Sequence, residues 1–188
     1  MNILDSSIRL IDALAGWGLR EAHNPKKYGI DLPSDENQRT MLGMEIVLRH
    51  VPELIARILL AEPLGVAEQR GVLRVDFGPD ELDKMDLCNG TPLATYTEWV
   101  SKDETPDHGE YVRRLVQDPD VLPLVCTVQV AEDDTERLVG PIVVYDGFHR
   151  AAAWLIRARK RLPGRPTADL IKTKHPPVRP ALAYFRPG

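Results

Sequence analysis

Cysteine is scarce in this chain, and its two cysteines lie far apart. Cys88 and Cys126 lack the close spacing that zinc modules use, and Cys126 lies within the apolar run "LPLVCTVQV". The cysteine pattern therefore indicates neither a disulfide framework nor a structural zinc site. We expect both thiols to be reduced and one of them to be buried.

Long apolar runs are also missing. No segment approaches the roughly 18 consecutive apolar residues of a membrane helix, and the start of the sequence has no basic flank followed by an apolar signal core. The hydrophobic content of 43% and charged content of 28% are typical of a globular protein. We expect a cytoplasmic protein with no membrane span.

The chain has no overall excess of positive charge. Its formal net charge is -4, so the whole molecule does not attract DNA or an anionic membrane, and any anion site must be local. Basic residues do cluster in the C-terminal quarter. They are Arg150, Arg157, Arg159, Lys160, Arg161, Arg165, Lys172 and Lys174. This cluster fits a solvated helix face followed by a basic tail, and it also fits a nucleotide or nucleic-acid surface.

The pattern divides the chain into two regions. Residues 1–67 have helical periodicity, with Pro52 dividing or kinking a second helical segment, and we predict a helical N-terminal region there. His23 and His50 fall in this region and are expected to be structural or exposed. Residues 68–188 have mixed strand and helix patterns, and we predict an α/β domain with a C-terminal basic arm.

Within the second region, strands are predicted at 72–77, 122–130 and 136–146. Helices are predicted near "GPDELDKM", at 110–117 and at 147–161. The Thr-, Pro- and Gly-rich stretch 88–110 is predicted to be irregular. The proline-rich tail 172–188 is predicted to be an edge strand or an extended arm, and His175 within it is given no role.

The stretch "IVVYDGFHRAAAW" places charged residues where a buried strand turns into a helix. Asp146 is expected to cap the helix, and Gly147 permits a sharp turn and close approach of a ligand. The unpaired N–H groups of the first helical turn bind anions, and His149 and Arg150 add donors there. The pattern fits a phosphate site, and it also fits a capped helix whose arginine pairs with a carboxylate elsewhere.

The residues "VVYDGFHRAAAW" resemble the signature of the ParB/sulfiredoxin superfamily, in which a strand delivers Gly-x-x-Arg to a phosphate-binding helix N-terminus. The order of predicted elements over residues 72–161, roughly half of the chain, is also similar. The resemblance implies a small mixed sheet with packed helices, an α/β (α+β) fold.

Departures from the family pattern narrow the function that the resemblance implies. Phe148 stands where sulfiredoxins carry their catalytic cysteine and where partition proteins carry glutamate, so neither peroxiredoxin repair nor a partition clamp is expected. The loop, the length and the helical N-terminal region resemble the superfamily's plasmid fertility-inhibition factors. That likeness implies ATP hydrolysis and DNA cleavage that inhibit conjugative plasmid or T-DNA transfer, with a component of a conjugative secretion system as a partner.

The resemblance also assigns roles to residues. Gly147, His149 and Arg150 would hold the polyphosphate, and Asp146 would fix the turn. ATP would be the substrate, with Mg²⁺ on its phosphates and metal ligands that no sequence pattern identifies. Glu81 matches the position of the acid/base glutamate of kinase-like relatives, although an exposed glutamate in a first helical turn is the simpler interpretation.

Two further groups of residues are candidates. The acidic cluster Glu104, Asp107, His108 and Glu110 is predicted to be solvent-exposed, with lining of the cleft as the alternative. DNA contact, through the phosphate backbone without sequence specificity, is predicted for Arg157, Lys160, Arg161 and Arg165.

Two other functions fit the same sequence. The first is a non-catalytic inhibitor that binds a protein of the transfer apparatus through residues 1–65. The second is a small-molecule kinase acting on an amino acid.

Overall fold

Six strands form one mixed sheet in a computed structural model that describes residues 1–23, 28–50, 72–119, 122–130 and 137–173. The strands are β1 (Asn2–Ile8), β2 (Val72–Asp76), β3 (Asp86–Leu87), β4 (Leu124–Val130), β5 (Leu138–Asp146) and β6 (Thr167–Thr173). Their order in the sheet is β1-β2-β6-β4-β5-β3. β4 runs antiparallel to β5 and parallel to β6, and β3 runs parallel to β5.

Six α-helices and one π-helical turn accompany the sheet in the described residues. The helices are α1 (Leu10–His23), α2 (Glu36–His50), α3 (Pro79–Leu82), α4 (Leu93–Lys102), α5 (Tyr111–Gln117) and α6 (Phe148–Arg159). The π-helical turn is Pro106–Glu110 and leads directly into α5. The prediction of a mixed α/β (α+β) fold is confirmed.

The chain forms two compact units. One contains Ser6–Val72, and the other contains Met1–Asp5 together with Leu73–Gly188. The sequence predicted a boundary at residues 67 and 68 and only helices before it. Residues 2–8 instead form a strand, and the first of them belong to the α/β unit.

In the first unit, α1 and α2 approach each other closely at glycines. A Cβ on Gly18 would lie 1.7 Å from the carbonyl oxygen of Gly43, and one on Gly43 would lie 2.2 Å from the carbonyl oxygen of Ala15. Trp17 is fully buried beside this crossing. Backbone contact at this distance is possible only without side chains, which explains two glycines in helix interiors where they otherwise cost stability.

The core of the α/β unit lies between one face of the sheet and its helices. Alternate residues of the central strands point to this face, as the two-residue period of a strand requires, and α4, α5 and α6 cover it. The sheet side of the core includes Leu124, Cys126, Val128, Val144, Ala168 and Leu170. Ala151, Ala152 and Ala153 are fully or almost fully buried, so α6 packs close to the sheet and fixes the loop before it.

Two predictions in this unit were wrong. The stretch 88–110 is not irregular, because Leu93–Lys102 is a helix whose buried residues Leu93, Tyr96, Thr97 and Val100 recur at helical spacing. Residues 172 and 173 belong neither to an arm nor to an edge strand, because β6 lies between β2 and β4 inside the sheet. The predicted break at Pro52, the acidic turn at 131–135 and His175 lie outside the described residues.

No helix in the described part of the chain is both long and apolar enough to cross a membrane. Cys88 and Cys126 are both buried free thiols. Burial raises the pKa of the Cys88 thiol to about 12 and that of Cys126 further, so both are inert at neutral pH.

Candidate functional site

The loop between β5 and α6 turns at Gly147, whose backbone is left-handed (φ 88°, ψ 32°). A Cβ at this position would lie 2.8 Å from Leu124 Cδ2 and 2.8 Å from Nε and Nη2 of Arg150. The turn therefore requires glycine both for its dihedral angles and for space. Arg150 folds back over the glycine at the start of α6.

Asp146 holds Arg150 in that position. Arg150 Nη2 donates to Asp146 Oδ2 over 2.8 Å, and the two side chains are only 12% and 20% exposed. The expectation that Asp146 caps α6 is wrong. Gly147 occupies the N-cap position, and no side chain caps the first turn. An anion at this helix start would therefore meet a guanidinium that is already partly neutralised by Asp146.

His149 is joined to His108, which lies 41 residues earlier in the π-helical turn. His108 Nδ1 and His149 Nε2 are 2.8 Å apart, within hydrogen-bond distance. The ring planes differ by 16° and the ring centroids are 5.1 Å apart. These values describe two nearly coplanar imidazoles joined edge to edge by one N–H···N hydrogen bond. Rings stacked face to face could not bring Nδ1 and Nε2 as close as 2.8 Å.

Aromatic rings surround the histidine pair. Tyr96 and Tyr111 meet the His149 ring edge-on, with centroids 6.1 Å and 5.5 Å away. On the other side, the Trp99 ring lies 5.4 Å from that of His108. Burial raises the pKa of Tyr96, and Asp103 raises it further, so the Tyr96 hydroxyl stays protonated at neutral pH.

This environment keeps His149 neutral. Burial, together with smaller effects of the nearby charges of His108 and Arg150, lowers the pKa of His149 from 6.5 to about 4, against an opposing effect of Asp107. A neutral imidazole has one donor nitrogen and one acceptor nitrogen. At physiological pH, therefore, the nitrogen that His108 leaves open can accept a proton or donate a hydrogen bond, depending on the tautomer.

The π-helical turn that carries His108 is anchored by Asp103. The Asp103 carboxylate accepts hydrogen bonds from the backbone N–H and the hydroxyl of Thr105. The backbone carbonyl of Asp103 accepts a hydrogen bond from Arg113 Nη1 over 3.0 Å. A Cβ on Gly109 would lie 1.5 Å from this same carbonyl oxygen. The glycine lets the turn pass close to residue 103, which sets the position of His108.

The predicted acidic cluster divides in the structure. Glu104, Asp107 and Glu110 are exposed, as predicted. His108 differs, because it is half-buried and bonded to His149. Its role could not be found from sequence, because no local spacing links residues 108 and 149, and Tyr96, Trp99 and Tyr111 were missed for the same reason.

Glu81 has partners of its own. Its Oε1 accepts from the amino group of Met1 over 2.7 Å, and its Oε2 accepts from the backbone N–H of Gly78 over 2.8 Å. The hydrogen bond with the Met1 amino group lowers the pKa of this carboxyl, and that of Gly78 contributes. These bonds hold the first turn of α3 and do not run to the Asp146–Arg150 loop.

The residues predicted to contact DNA do not all face outward. Lys160, Arg161 and Arg165 are exposed just after α6, and Arg165 lies 3.5 Å from Asp76. Arg157 is 8% exposed, and its guanidinium donates to the carbonyl oxygens of Val116 and Pro163. It thus ties the end of α6 to neighbouring backbone, so the prediction that Arg157 contacts DNA does not fit the structure.

In the described residues, no group of three or more His, Cys, Asp or Glu side chains is placed to hold a metal ion. Asp146 lies beside the helix start, but its carboxylate is paired with Arg150. A Mg²⁺ ion bound through phosphate oxygens needs only one or two protein carboxylates, and that requirement is compatible with this site.

Comparisons with known proteins give no match: no protein-family description, curated protein or solved structure is similar to this chain.

Proposed function

We propose that the protein is a nucleotide hydrolase that binds the phosphates of ATP at the phosphate loop, Asp146–Arg150. The observation that supports this most is the position of His149, which lies within 2.8 Å of His108 and directly precedes Arg150 at the start of α6. Phosphoryl transfer needs donors for the phosphate oxygens and one group to orient the attacking water. The loop supplies both kinds of group within two adjacent residues.

The donors for the phosphates come from the backbone and from Arg150. The first N–H groups of α6 lack intrahelical partners and carry the positive end of the helix dipole. When a polyphosphate arrives, Arg150 exchanges part of its pairing with Asp146 for phosphate oxygens, which its planar fork fits. Mg²⁺ would supply charge neutralisation when bound, and Asp146, next to the N-cap residue Gly147, would be a candidate carboxylate for it.

The proposed DNA-directed activity rests on the exposed cations after α6 and on the resemblance to plasmid fertility-inhibition factors. Lys160, Arg161 and Arg165 extend the positive charge beyond the phosphate loop. We propose that they bind the DNA backbone without sequence specificity and that the protein cleaves DNA as an inhibitor of conjugative transfer.

ATP hydrolysis by the wild type, Arg150→Ala and Arg150→Lys tests the proposal. We expect Arg150→Ala to lower kcat/KM by about 100-fold or more, since loss of one preorganised donor to a developing charge typically has that effect. Arg150→Lys keeps the charge without the fork and should recover only part of the activity.

Arg159→Ala is the matched control. Arg159 lies on the same helix, is exposed, and pairs with Asp83 at the far end from the loop. Its removal should leave hydrolysis unchanged. Circular dichroism verifies that each variant is folded. Equal turnover in folded Arg150→Ala and wild type would remove the loop from the reaction, and absence of ATP hydrolysis in the wild type would overturn the proposed function.

A further inference from the structure

The histidine pair has a feature that phosphate binding does not explain: His108 engages the side-chain nitrogen of His149 that lies farther from the backbone. The bond between His108 Nδ1 and His149 Nε2 contains a single hydrogen. If His149 donates it, His149 Nδ1 is an acceptor. If His108 donates it, His149 Nδ1 carries a hydrogen. The state of His108 therefore decides what His149 offers to a ligand.

We infer that His108 is a positioning residue that fixes the ring orientation and tautomer of His149, and that the two rings act as one proton-accepting unit. The geometry supports this in three ways. The rings are nearly coplanar, the bond is 2.8 Å long, and the turn that carries His108 is fixed by the contacts of Gly109 and Asp103. A histidine held in this way is comparable to one oriented by a carboxylate or carbonyl in known catalytic and metal sites.

The groups around His149 explain why it is neutral before a ligand binds. Tyr96 and Tyr111 make T-shaped contacts with His149 and help to remove it from water, the positive charge of Arg150 disfavours a proton on it, and Asp107 opposes this effect. Asp103 anchors the turn beside His108. A polyphosphate at the loop adds several negative charges, and these favour a proton on the pair. The bound phosphates therefore raise the affinity of the pair for the proton that the attacking water loses.

The catalytic consequence rests on the function proposed above. The water oxygen forms a bond to the terminal phosphorus, and the bond from phosphorus to the bridging oxygen breaks, with its electron pair leaving on the nucleoside diphosphate. His149 Nδ1 takes the proton that the water loses. His149 Nε2 passes its own hydrogen to His108 Nδ1, so the positive charge moves to the His108 ring. The pair later releases one proton to solvent.

Nitrogen NMR of the histidine rings tests the positioning directly. In wild type at neutral pH, we expect a single tautomer for His149. In His108→Phe, which keeps a ring but no nitrogen, we expect the spectrum of a tautomer mixture. His108→Asn places an amide near the position of Nδ1 and should restore one tautomer. An unchanged His149 spectrum in a folded His108→Phe protein would overturn the inference, and it would do so even if the protein hydrolyses no ATP.

Kinetics supply the second readout. We expect His108→Phe to lower kcat by on the order of 10- to 100-fold with little change in KM, as loss of a partner that orients a histidine typically does. His108→Asn should retain most of the rate, because its amide still fixes the orientation and tautomer of His149. His23→Asn, at an exposed histidine of the other unit, is the control and should behave as wild type.

A higher KM with an unchanged kcat in His108→Phe would also contradict the inference, because His108 would then be part of the binding surface. If wild type shows no hydrolysis while the tautomer result is as expected, the proposed function fails and the positioning of His149 by His108 stands.

Discussion

At the scale of single residues, the site depends on groups whose roles come from their surroundings rather than their type. Arg150 folds over Gly147 because that glycine has no side chain, and Asp146 holds it there. His149 is neutral because aromatic rings and a second histidine surround it. The sequence identified Asp146, Gly147, His149 and Arg150 as one loop. It assigned Asp146 the wrong local role, because capping and pairing with Arg150 are alternatives that the same spacing allows.

The lowered pKa of the half-buried His149 predicts how stability depends on pH. Its folded-state pKa of about 4 lies below its ordinary value of 6.5, so the unfolded chain binds more protons between these values. The free energy of unfolding should therefore be highest above about pH 6.5 and fall as the pH drops toward 4. Below about pH 4, His149 should cause no further loss. Protonation of His149 should lower the free energy of unfolding by at most about 3 kcal/mol. Urea denaturation at several pH values measures it.

His149→Gln should flatten this dependence, because the variant has no group to protonate. His23→Gln, which replaces an exposed histidine of the helical region, is the matched control. Parallel pH curves for wild type and His149→Gln would contradict the lowered pKa of His149.

At the scale of elements, the structure differs from the sequence prediction where long-range pairing decides. β6 follows a turn and contains a charged residue, Asp169, that is buried in the structure. A charged residue does not indicate an interior strand when the sequence is considered alone. Its interior place comes from parallel pairing with β4 and from Asp169 accepting from Arg74 Nε over 2.9 Å. β4, β5 and α6 were predictable because their apolar patterns are local. The pairing of residues 108 and 149 was not, since it depends on how α4 and the π-helical turn pack.

The contact of α1 with α2 makes a prediction at this scale. Gly18→Ala places a methyl group against the Gly43 carbonyl, where it would lie 1.7 Å from the oxygen, so the helices must separate. We expect a loss of at least about 2 kcal/mol in the free energy of unfolding, as for other overpacked interiors. Urea denaturation followed by circular dichroism measures it.

Gly16→Ala is the control in the same helix. The nearest atom to its Cβ would be Arg20 Nη1, at 3.9 Å, so there is room for the methyl group. Alanine is the better helix former, and this variant should be more stable by about 0.5 to 1 kcal/mol. The close crossing would be refuted by similar stability changes in both variants.

At the scale of the whole molecule, the charges are separated. The net charge is -4, yet exposed cations collect after α6. Binding of DNA would therefore be local and sensitive to salt. The resemblance to the ParB/sulfiredoxin superfamily stays a hypothesis, and the predicted mixed fold is the part of it that the structure bears out.

DNA affinity as a function of salt tests the proposed surface. Combined replacement of Lys160, Arg161 and Arg165 by alanine should weaken binding and lower the slope of log affinity against log salt concentration by about 2 to 3, because each backbone phosphate contact contributes about 0.9. A control with Arg9, Arg39 and Arg49 replaced changes the net charge equally at exposed positions of the helical region. Equal losses in both triple variants would show that only net charge matters.

A crystal structure of the full chain with a nonhydrolysable ATP analogue and Mg²⁺ would show directly whether the phosphates bind at Asp146–Arg150. The phosphates should meet the backbone N–H groups at the start of α6, with Arg150 turned from Asp146 toward a phosphate oxygen and His149 beside the terminal phosphate. An analogue bound elsewhere, or no binding at saturating concentration, would contradict the claim that Asp146–Arg150 is a phosphate site.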